Sequence, residues 1–192
     1  MSLRQIRLAD IAPRPWRNGG GRTRELLAWP EGPDRLMRIS VADIDADGPF
    51  SVFAGVLRWF AVLEGAGLVL SFADGERGLT PDSDPLRFDG ALAPGCRLID
   101  GHTRDLNLML RAGVRGALER AQDGVTWSAA WRWRACFTTG PAQWQGEHGD
   151  SVAIAARTLA YAFPAGPCRL VAADATAPMF WIGADLDGEA SP

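Results

Sequence analysis

The chain has 192 residues and a mass of 20.7 kDa, enough for one large domain or two small ones sharing a core. A formal charge of −3 and a pI near 5.4 argue against the broad basic face of a nucleic-acid binder. All 20 basic residues are arginine, which removes Schiff-base chemistry, a phosphate-binding lysine and a lysine general base. The N-terminal MSLRQIRLADIAP has no apolar h-region, so no signal peptide is expected, and no apolar run is long enough to cross a membrane. Cys96, Cys136 and Cys168 are odd in number and lack C-x-x-C spacing, the pattern of reduced thiols in a cytoplasmic protein.

The first feature along the chain is PWRNGGGRTREL (15–26). A phosphate cradle needs Lys-Ser/Thr after the last glycine, and Arg22-Thr23 stands there instead. The glycines permit positive φ and close backbone approach, and the turn would aim Trp16, Asn18, Arg24 and Glu25. A plain loop between strands is the competing reading. Period-two alternation then marks strands at 35–44, 57–65, 67–72, 105–111, 131–137, 158–163 and 168–174, separated by Gly/Pro turns. One weak helical pattern covers 113–122, inside the connection 111–124 between a dense strand set at 35–111 and another at 125–183. No strong sequence repeat is visible. Many short strands with such turns predict an all-β sandwich or barrel.

Chemistry-bearing clusters are sparse. His102 and His148 are the two histidines, both in turn-like stretches, so a histidine-rich metal site is impossible. No G-x-S-x-G occurs. Asp43, Asp45 and Asp47 read as a solvated turn. The alternation inside the strands is more informative. Arg38, Ser40 and Ala42 share a face, as do Arg58, Phe60, Val62 and Glu64, and Asp105, Asn107, Met109 and Arg111. An arginine among apolar residues needs a partner or an open cavity. These faces would line a barrel lumen suited to a carboxylate, or else meet solvent. In WRWRACF, Trp131, Trp133 and Ala135 oppose Arg132, Arg134 and Cys136, the pattern of a structural strand with tryptophan in the core.

PWRNGGGRTREL (15–26), RISVADIDADGPFSVFAGV (38–56), RWFAVLEGAGLVL (58–70) and RLIDGHTRDLNLML (97–110) together resemble the HutD/Ves family, in family order. The resemblance covers 15–110; the C-terminal third matches mainly in length and strand content. It implies a cupin-type double-stranded β-helix barrel in a compact bicupin, one unit over 1–192. Within it the sub-barrels would be 1–113 and a smaller 114–184, with a polar tail at 185–192. It implies a role in bacterial histidine utilisation as a governor or sensor. Pathway intermediates such as N-formylglutamate or urocanate are considered as ligands, and the Ves branch is linked to cold or stress response. Leu57, Ala54, Leu106, Ala91 and Met37 depart from the family pattern.

On this reading the glycine turn lies at a barrel mouth and presents Asn18, Arg24 and Glu25 toward a lumen lined by Arg38, Ser40, Arg58 and Asn107. Trp16 and Ser51 complete the ligand-binding set. Arg38 or Arg58 would hold an anion, with Asp105 and Glu25 available to orient the arginines. The expected partner is a small carboxylate, with no metal, cofactor, nucleic acid or membrane. A homodimer and a protein partner from the pathway are also admitted. The alternatives are a metal-free isomerase or epimerase using Asp105, Glu25, His102 or Tyr161 as acid or base, and a stress-response protein-interaction module.

Overall fold

The structure is a computed structural model and describes residues 3–186. In chain order its strands are β1 (Arg4–Arg7), β2 (Arg14–Pro15), β3 (Gly21–Trp29), β4 (Met37–Ile44), β5 (Gly48–Pro49), β6 (Val56–Glu64), β7 (Leu68–Phe72), β8 (Gly75–Leu79), β9 (Leu86–Asp89) and β10 (Gly95–Leu98). There follow β11 (Thr103–Arg111), β12 (Gly116–Arg120), β13 (Thr126–Trp127), β14 (Trp133–Thr138), β15 (Ala142–Gly146), β16 (Ser151–Ile154), β17 (Thr158–Tyr161), β18 (Cys168–Ala172) and β19 (Met179–Ala184). Short 3-10 turns occupy Leu8–Asp10 and Gly90–Leu92. Among the described residues no helix is long and apolar enough to cross a membrane.

The strands fall into two compact units, one over Ile11–Gly113 and one from Val114 onward that also takes the N-terminal segment up to Asp10. Each unit is an all-antiparallel cupin-type barrel of two sheets. In the first, a six-stranded sheet ordered β2-β3-β4-β11-β6-β9 accompanies a four-stranded sheet ordered β5-β10-β7-β8. In the second, a five-stranded sheet ordered β1-β17-β14-β19-β12 accompanies a four-stranded sheet ordered β13-β18-β15-β16. The shared order is the same strand for strand: β4-β11-β6-β9 corresponds to β12-β19-β14-β17, and β5-β10-β7-β8 to β13-β18-β15-β16. The duplication is therefore carried by topology although the sequence shows no repeat. Beyond the shared strands, the first barrel adds the β2–β3 hairpin edge and the second adds β1.

Each barrel buries a core drawn from both of its sheets. Ile44, Phe60 and Val62 meet Leu68, Leu70 and Cys96 in the first. Cys136, Ala160 and Trp181 meet Trp144, Cys168 and Leu170 in the second. The central strands of the first barrel are buried on both faces: Met37, Ile39 and Val41 are fully covered, and so are Leu106, Leu108 and Leu110. The polar residues that alternate with them must therefore be satisfied inside the protein or face an internal cavity.

Three expectations are corrected. The helix-like stretch 113–122 is β12, whose five residues pair with β19. Its Ala, Leu, Glu and Arg have good helix propensity, but burial of Leu118 and the ladder to β19 override it. Residues up to Asp10 do not belong to the first barrel, because β1 pairs with β17. At the C-terminus, Asp185 pairs with Arg115 at 3.2 Å and Leu186 is buried, so these two residues are packed; residues 187–192 lie outside the described residues.

Candidate functional site

The site is built on the lumen face of the first barrel. Met109 pairs with Arg38 on one side and Arg58 on the other, so the three form one row across β4, β11 and β6. Asn107 lies between Ser40 and Phe60 in the next row, and Asp105 between Ala42 and Val62 in the third. Strand alternation sends all three rows to the same face. A bulge between Arg104 and Asp105 keeps the Arg104 and Glu64 ends of the two strands opposed.

A cavity of about 470 Å³ opens above this floor. Its wall includes Arg14, Trp16, Arg17, Asn18, Thr23, Arg38, Ser40, Phe50, Ser51, Phe53, Arg58, Asn107 and Met109. Four arginines line it and no Asp or Glu does, among the described residues. Arg58 is 7% exposed, and its Nε donates to Asn107 Oδ1 at 2.7 Å. Its guanidinium lies over Phe50, 4.5 Å from the ring centre, and near Phe88 and Phe60. Among the described residues no carboxylate forms an ion pair with Arg58, and its two terminal nitrogens have no hydrogen-bond partner. Burial pushes its pKa down to about 10, opposed by Asp105 and assisted by Arg38.

Arg38 is held differently. Its Nε donates to Glu25 Oε2 at 2.7 Å, and Glu25 also accepts from Arg35 at 2.9 Å. Burial alone would raise the Glu25 pKa, but the hydrogen bond and charge of Arg38, with Arg35 behind it, lower it overall. Arg38 therefore reaches the cavity already half neutralised, whereas Arg58 does not.

The glycine turn closes one side of the mouth. Gly19 takes φ +71° and its N–H donates to Trp16 O; Trp16 N–H donates to Gly21 O at 2.9 Å. A Cβ on Gly21 would stand 2.3 Å from the carbonyl oxygen of Asp43, so only glycine lets β3 seat against β4 there. The indole of Trp16 donates to Thr23 Oγ1 at 2.8 Å, which fixes the ring as a cavity wall. Asn18 sits at the rim, its Oδ1 accepting from Gly20 N–H.

Of the residues singled out from the sequence, Trp16, Asn18, Arg38, Ser40, Ser51, Arg58 and Asn107 meet at this cavity. Arg24, Glu25 and Asp105 do not line it. Arg24 is paired with Val41, on the opposite face, and donates to Asp43 Oδ2 at 2.8 Å. The expectation that it faces the lumen fails because the β3–β4 register fixes its side. Asp43 itself is not a solvated turn residue. It is fully buried and accepts from Arg22, Arg24 and Arg104 at 2.9, 2.8 and 2.7 Å. Burial alone would raise its pKa, but these three arginines bring it down to about 2. Asp105 is fully buried behind Asn107, whose Nδ2 donates to Asp105 Oδ1; Asp105 Oδ2 has no hydrogen-bond partner. Burial pushes its pKa up to about 7, against the opposing pull of Arg58 and Asn107.

Sequence reasoning misses Arg14, Arg17, Thr23, Phe50 and Phe53 as site residues. Phe50 and Phe53 flank Ser51 in the loop that follows β5, and no period marks such a loop. Thr23 carries a usable signal, as the residue two after Gly21 on the same strand. His102 and His148 are exposed, Tyr161 belongs to the second barrel, and no group of three His, Cys, Asp or Glu residues able to hold a metal occurs among the described residues.

Several known proteins are similar to this chain. A 21.2 kDa protein of the hutC 3′ region of Pseudomonas putida is 41% identical over 111 residues, 56% of this chain and 57% of that protein. Protein Ves of Citrobacter koseri is 34% identical over 119 residues, covering 59% of this chain and 62% of that one. The matched segments thus span less than two thirds of these relatives' own lengths. HutD from Pseudomonas fluorescens SBW25, solved in a formate condition, superposes with a TM-score of 0.82 at 27% identity, covering 97% of this chain and 100% of that one. A variant of Bacillus subtilis oxalate decarboxylase superposes at a TM-score of 0.61 and 9% identity over 97% of this chain and 78% of that one, a likeness of fold alone. The HutD family profile matches residues 8–175, which takes in the whole first barrel, most of the second and every residue of the cavity, and the chain belongs to the HutD family.

Proposed function

We propose that the first barrel binds a small carboxylate without a metal, and that the protein acts in the cytoplasm as a sensor or regulator in bacterial histidine utilisation. N-formylglutamate and urocanate are the leading ligands. The observation that carries this reading is Arg58, a buried guanidinium with no carboxylate partner, facing a cavity whose lining holds four arginines and no acid. A buried unpaired charge costs several kcal/mol, so it is retained where an anion completes it. Guanidinium offers a planar fork that matches a carboxylate, and Ser40, Ser51 and Asn18 add neutral hydrogen-bonding groups around it.

Binding without turnover is favoured by the placement of the acid–base candidates. None of Glu25, Asp105, His102 and Tyr161 lines the cavity, so a bound acid would meet no proton donor or acceptor suited to isomerisation. The relatives point to the pathway: one is a hutC-region protein and another is HutD.

The test is a thermal-shift and calorimetry panel of N-formylglutamate, urocanate, histidine, imidazolone propionate, glutamate and formate. A ligand at 100 times its dissociation constant adds ~2.7 kcal/mol of stability, an obvious rise in midpoint. Arg58→Ala should weaken the responding ligand by ~1.5–3 kcal/mol, the scale of hydrogen bonds to a charged group. A flat panel, or full affinity retained in both Arg58→Ala and Arg38→Ala, refutes the assignment.

A further inference from the structure

Asp105 stands directly behind the cavity floor. It is fully buried, one oxygen accepts from Asn107 Nδ2, and the other has no partner. Asn107 Oδ1 in turn accepts from Arg58 Nε at 2.7 Å. An arginine nitrogen can only donate, so the amide orientation is fixed, and with it the direction of the Arg58–Asn107–Asp105 relay. Arg58 therefore has two competing sources of negative charge: ionised Asp105 across Asn107, or an anion in the cavity.

The two cannot be held equally well. A fully buried carboxylate with a bare oxygen is costly to keep ionised, and the field of Arg58 is the chief influence that favours the charge, ahead of the Asn107 hydrogen bond. An anion docked on Arg58 cancels that field and adds a second negative charge nearby. We infer that carboxylate binding at Arg58 is coupled to protonation of Asp105, so that the site takes up a proton as it fills and releases its ligand more readily in alkali. This rests on the carboxylate-binding reading above and adds a mode of regulation to it: occupancy would follow cytoplasmic pH as well as ligand concentration.

The other groups acting on Asp105 do not confuse the assignment. They are Arg58 from β6, Asn107 beside it on β11 and Asp43 from β4; Arg38 acts on Arg58, and Asp105 and Asp47 act on Cys96 of β10. Burial pushes Cys96 up to about 12 and Arg58 down to about 10, while its three arginines hold Asp43 at about 2. Asp105, raised to about 7, is the member of this set that titrates in the physiological range. Binding raises it further. Affinity is then full below the free-state value and falls by up to tenfold per pH unit between the free and the bound values.

The experiment is isothermal titration with sodium formate, which stays ionised throughout, from pH ~6.5 to ~8.5 in two buffers of different ionisation enthalpy. The expected result is net proton uptake above neutrality in the wild-type protein, with a dissociation constant that rises by about an order of magnitude across that span. Asp105→Asn keeps the size and the amide contact but cannot titrate. It should bind formate with the low-pH affinity at every pH and with no proton uptake. Wild-type binding that is independent of pH and buffer overturns the coupling while leaving the carboxylate site standing, as does an unchanged pH dependence in Asp105→Asn. No formate binding at any pH, with every histidine-pathway acid also silent, removes the site itself and the coupling with it.

Discussion

Both barrels send an arginine from the same topological strand into a core, Arg58 from β6 and Arg134 from β14, and they treat it in opposite ways. Arg134 is 6% exposed, and both of its terminal nitrogens are engaged by the protein. Its Nη1 donates to the carbonyls of Pro164 and Gly166 at 2.9 and 2.7 Å and its Nη2 to Cys168 Sγ; only Nε lacks a partner. Its guanidinium lies 4.7 Å from the ring centre of Trp127. Trp127 stacks on Trp181 at 4.6 Å, and Trp144 on Phe163 at 5.4 Å, so aromatic mass fills the lumen. Arg58 shows the reverse pattern, with Nε held by one neutral partner and its terminal nitrogens left to an open cavity. One fold thus supports both a packed core and an open cavity. The difference lies in what meets the end of the guanidinium: backbone carbonyls in the second barrel, and in the first the cavity to which the carboxylate is proposed to bind.

The largest effect expected from breaking such satisfaction is at Asp43, which serves three arginines of the first barrel at once. Asp43→Ala would leave Arg22, Arg24 and Arg104 without this acceptor. Removing one side of a buried ion pair costs about 3–5 kcal/mol, reduced here toward ~2–4 because Arg22 is half exposed. The sign of the pH effect follows from the depressed folded-state value of about 2. Its stabilisation is present above the unfolded value of ~3.9 and is lost as pH falls through that window. Wild-type melting temperature should therefore drop between pH ~4 and ~2, while Asp43→Ala starts lower and loses less over the same range. Equal midpoints at neutral pH would show that the cluster is decorative.

The second test sets the two arginines against each other. Arg134→Met strands two carbonyls in a packed core and should cost about 2 kcal/mol, with no change in carboxylate affinity. Arg58→Met removes an uncompensated buried charge and one hydrogen bond to Asn107, terms of opposite sign. Its stability should stay within about 1 kcal/mol of wild type while binding is lost. Thermal melts with and without ligand decide it. If Arg58→Met proves the more damaging of the two in the absence of ligand, Arg58 is a structural arginine and the contrast collapses.

How far this contrast is legible in the amino-acid sequence depends on the kind of signal. Arg38, Ser40, Arg58 and Asn107 are legible because strand alternation fixes a face, and four motif blocks imply the barrel. Arg24 is not, because alternation puts Arg24 and Glu25 on opposite faces but only the register of β3 to β4, Arg24 on Val41 and Glu25 on Ser40, decides which of the two faces the Ser40 side. Asp43 looks like a turn residue beside Asp45 and Asp47, yet it is the single acid of β4 and is buried, and its three arginines come from two other strands. The filled lumen of the second barrel is hidden for a similar reason. The alternation in WRWRACF predicts buried tryptophans, and Trp133 is buried, but Arg134 and Cys136 on the other face are buried too. Alternation separates faces; it does not say that both are covered.

An effect of opposite sign is expected at Asp105. Its folded-state value of about 7 lies above the unfolded carboxyl value, so the folded protein binds more protons than the unfolded chain between ~4 and ~7. Stability attributable to this residue therefore falls as pH rises through that window. Asp105→Asn removes the penalty and should raise the stability at pH ~8 by up to ~4 kcal/mol, the linkage of a carboxyl raised from ~3.9 to about 7, with the gain vanishing toward pH ~4. A loss of stability at pH ~8 would mean that the carboxylate is needed in its ionised form as the counter-charge of Arg58, which would undo the account of an unsatisfied guanidinium.

The smallest effect sharpens the comparison at the pocket mouth, where the β2–β3 hairpin edge is an addition of the first barrel alone. Its turn carries Trp16 and Asn18 to the cavity, so the hairpin forms part of the cavity wall. Gly19 sits at φ +71° with nothing within 4 Å of the place a Cβ would take, so side-chain space is free and only backbone conformation is at issue. Gly19→Ala should therefore cost about 1 kcal/mol from the left-handed backbone, and Gly19→Asn less, because asparagine tolerates that region. Neither substitution touches Arg58, so carboxylate affinity should follow the turn alone. If the hairpin does shape the mouth, Gly19→Ala weakens binding and Gly19→Asn restores most of it. If affinity ignores both, the hairpin is only a cover on the fold, and receptivity belongs entirely to the row of Arg38, Met109 and Arg58.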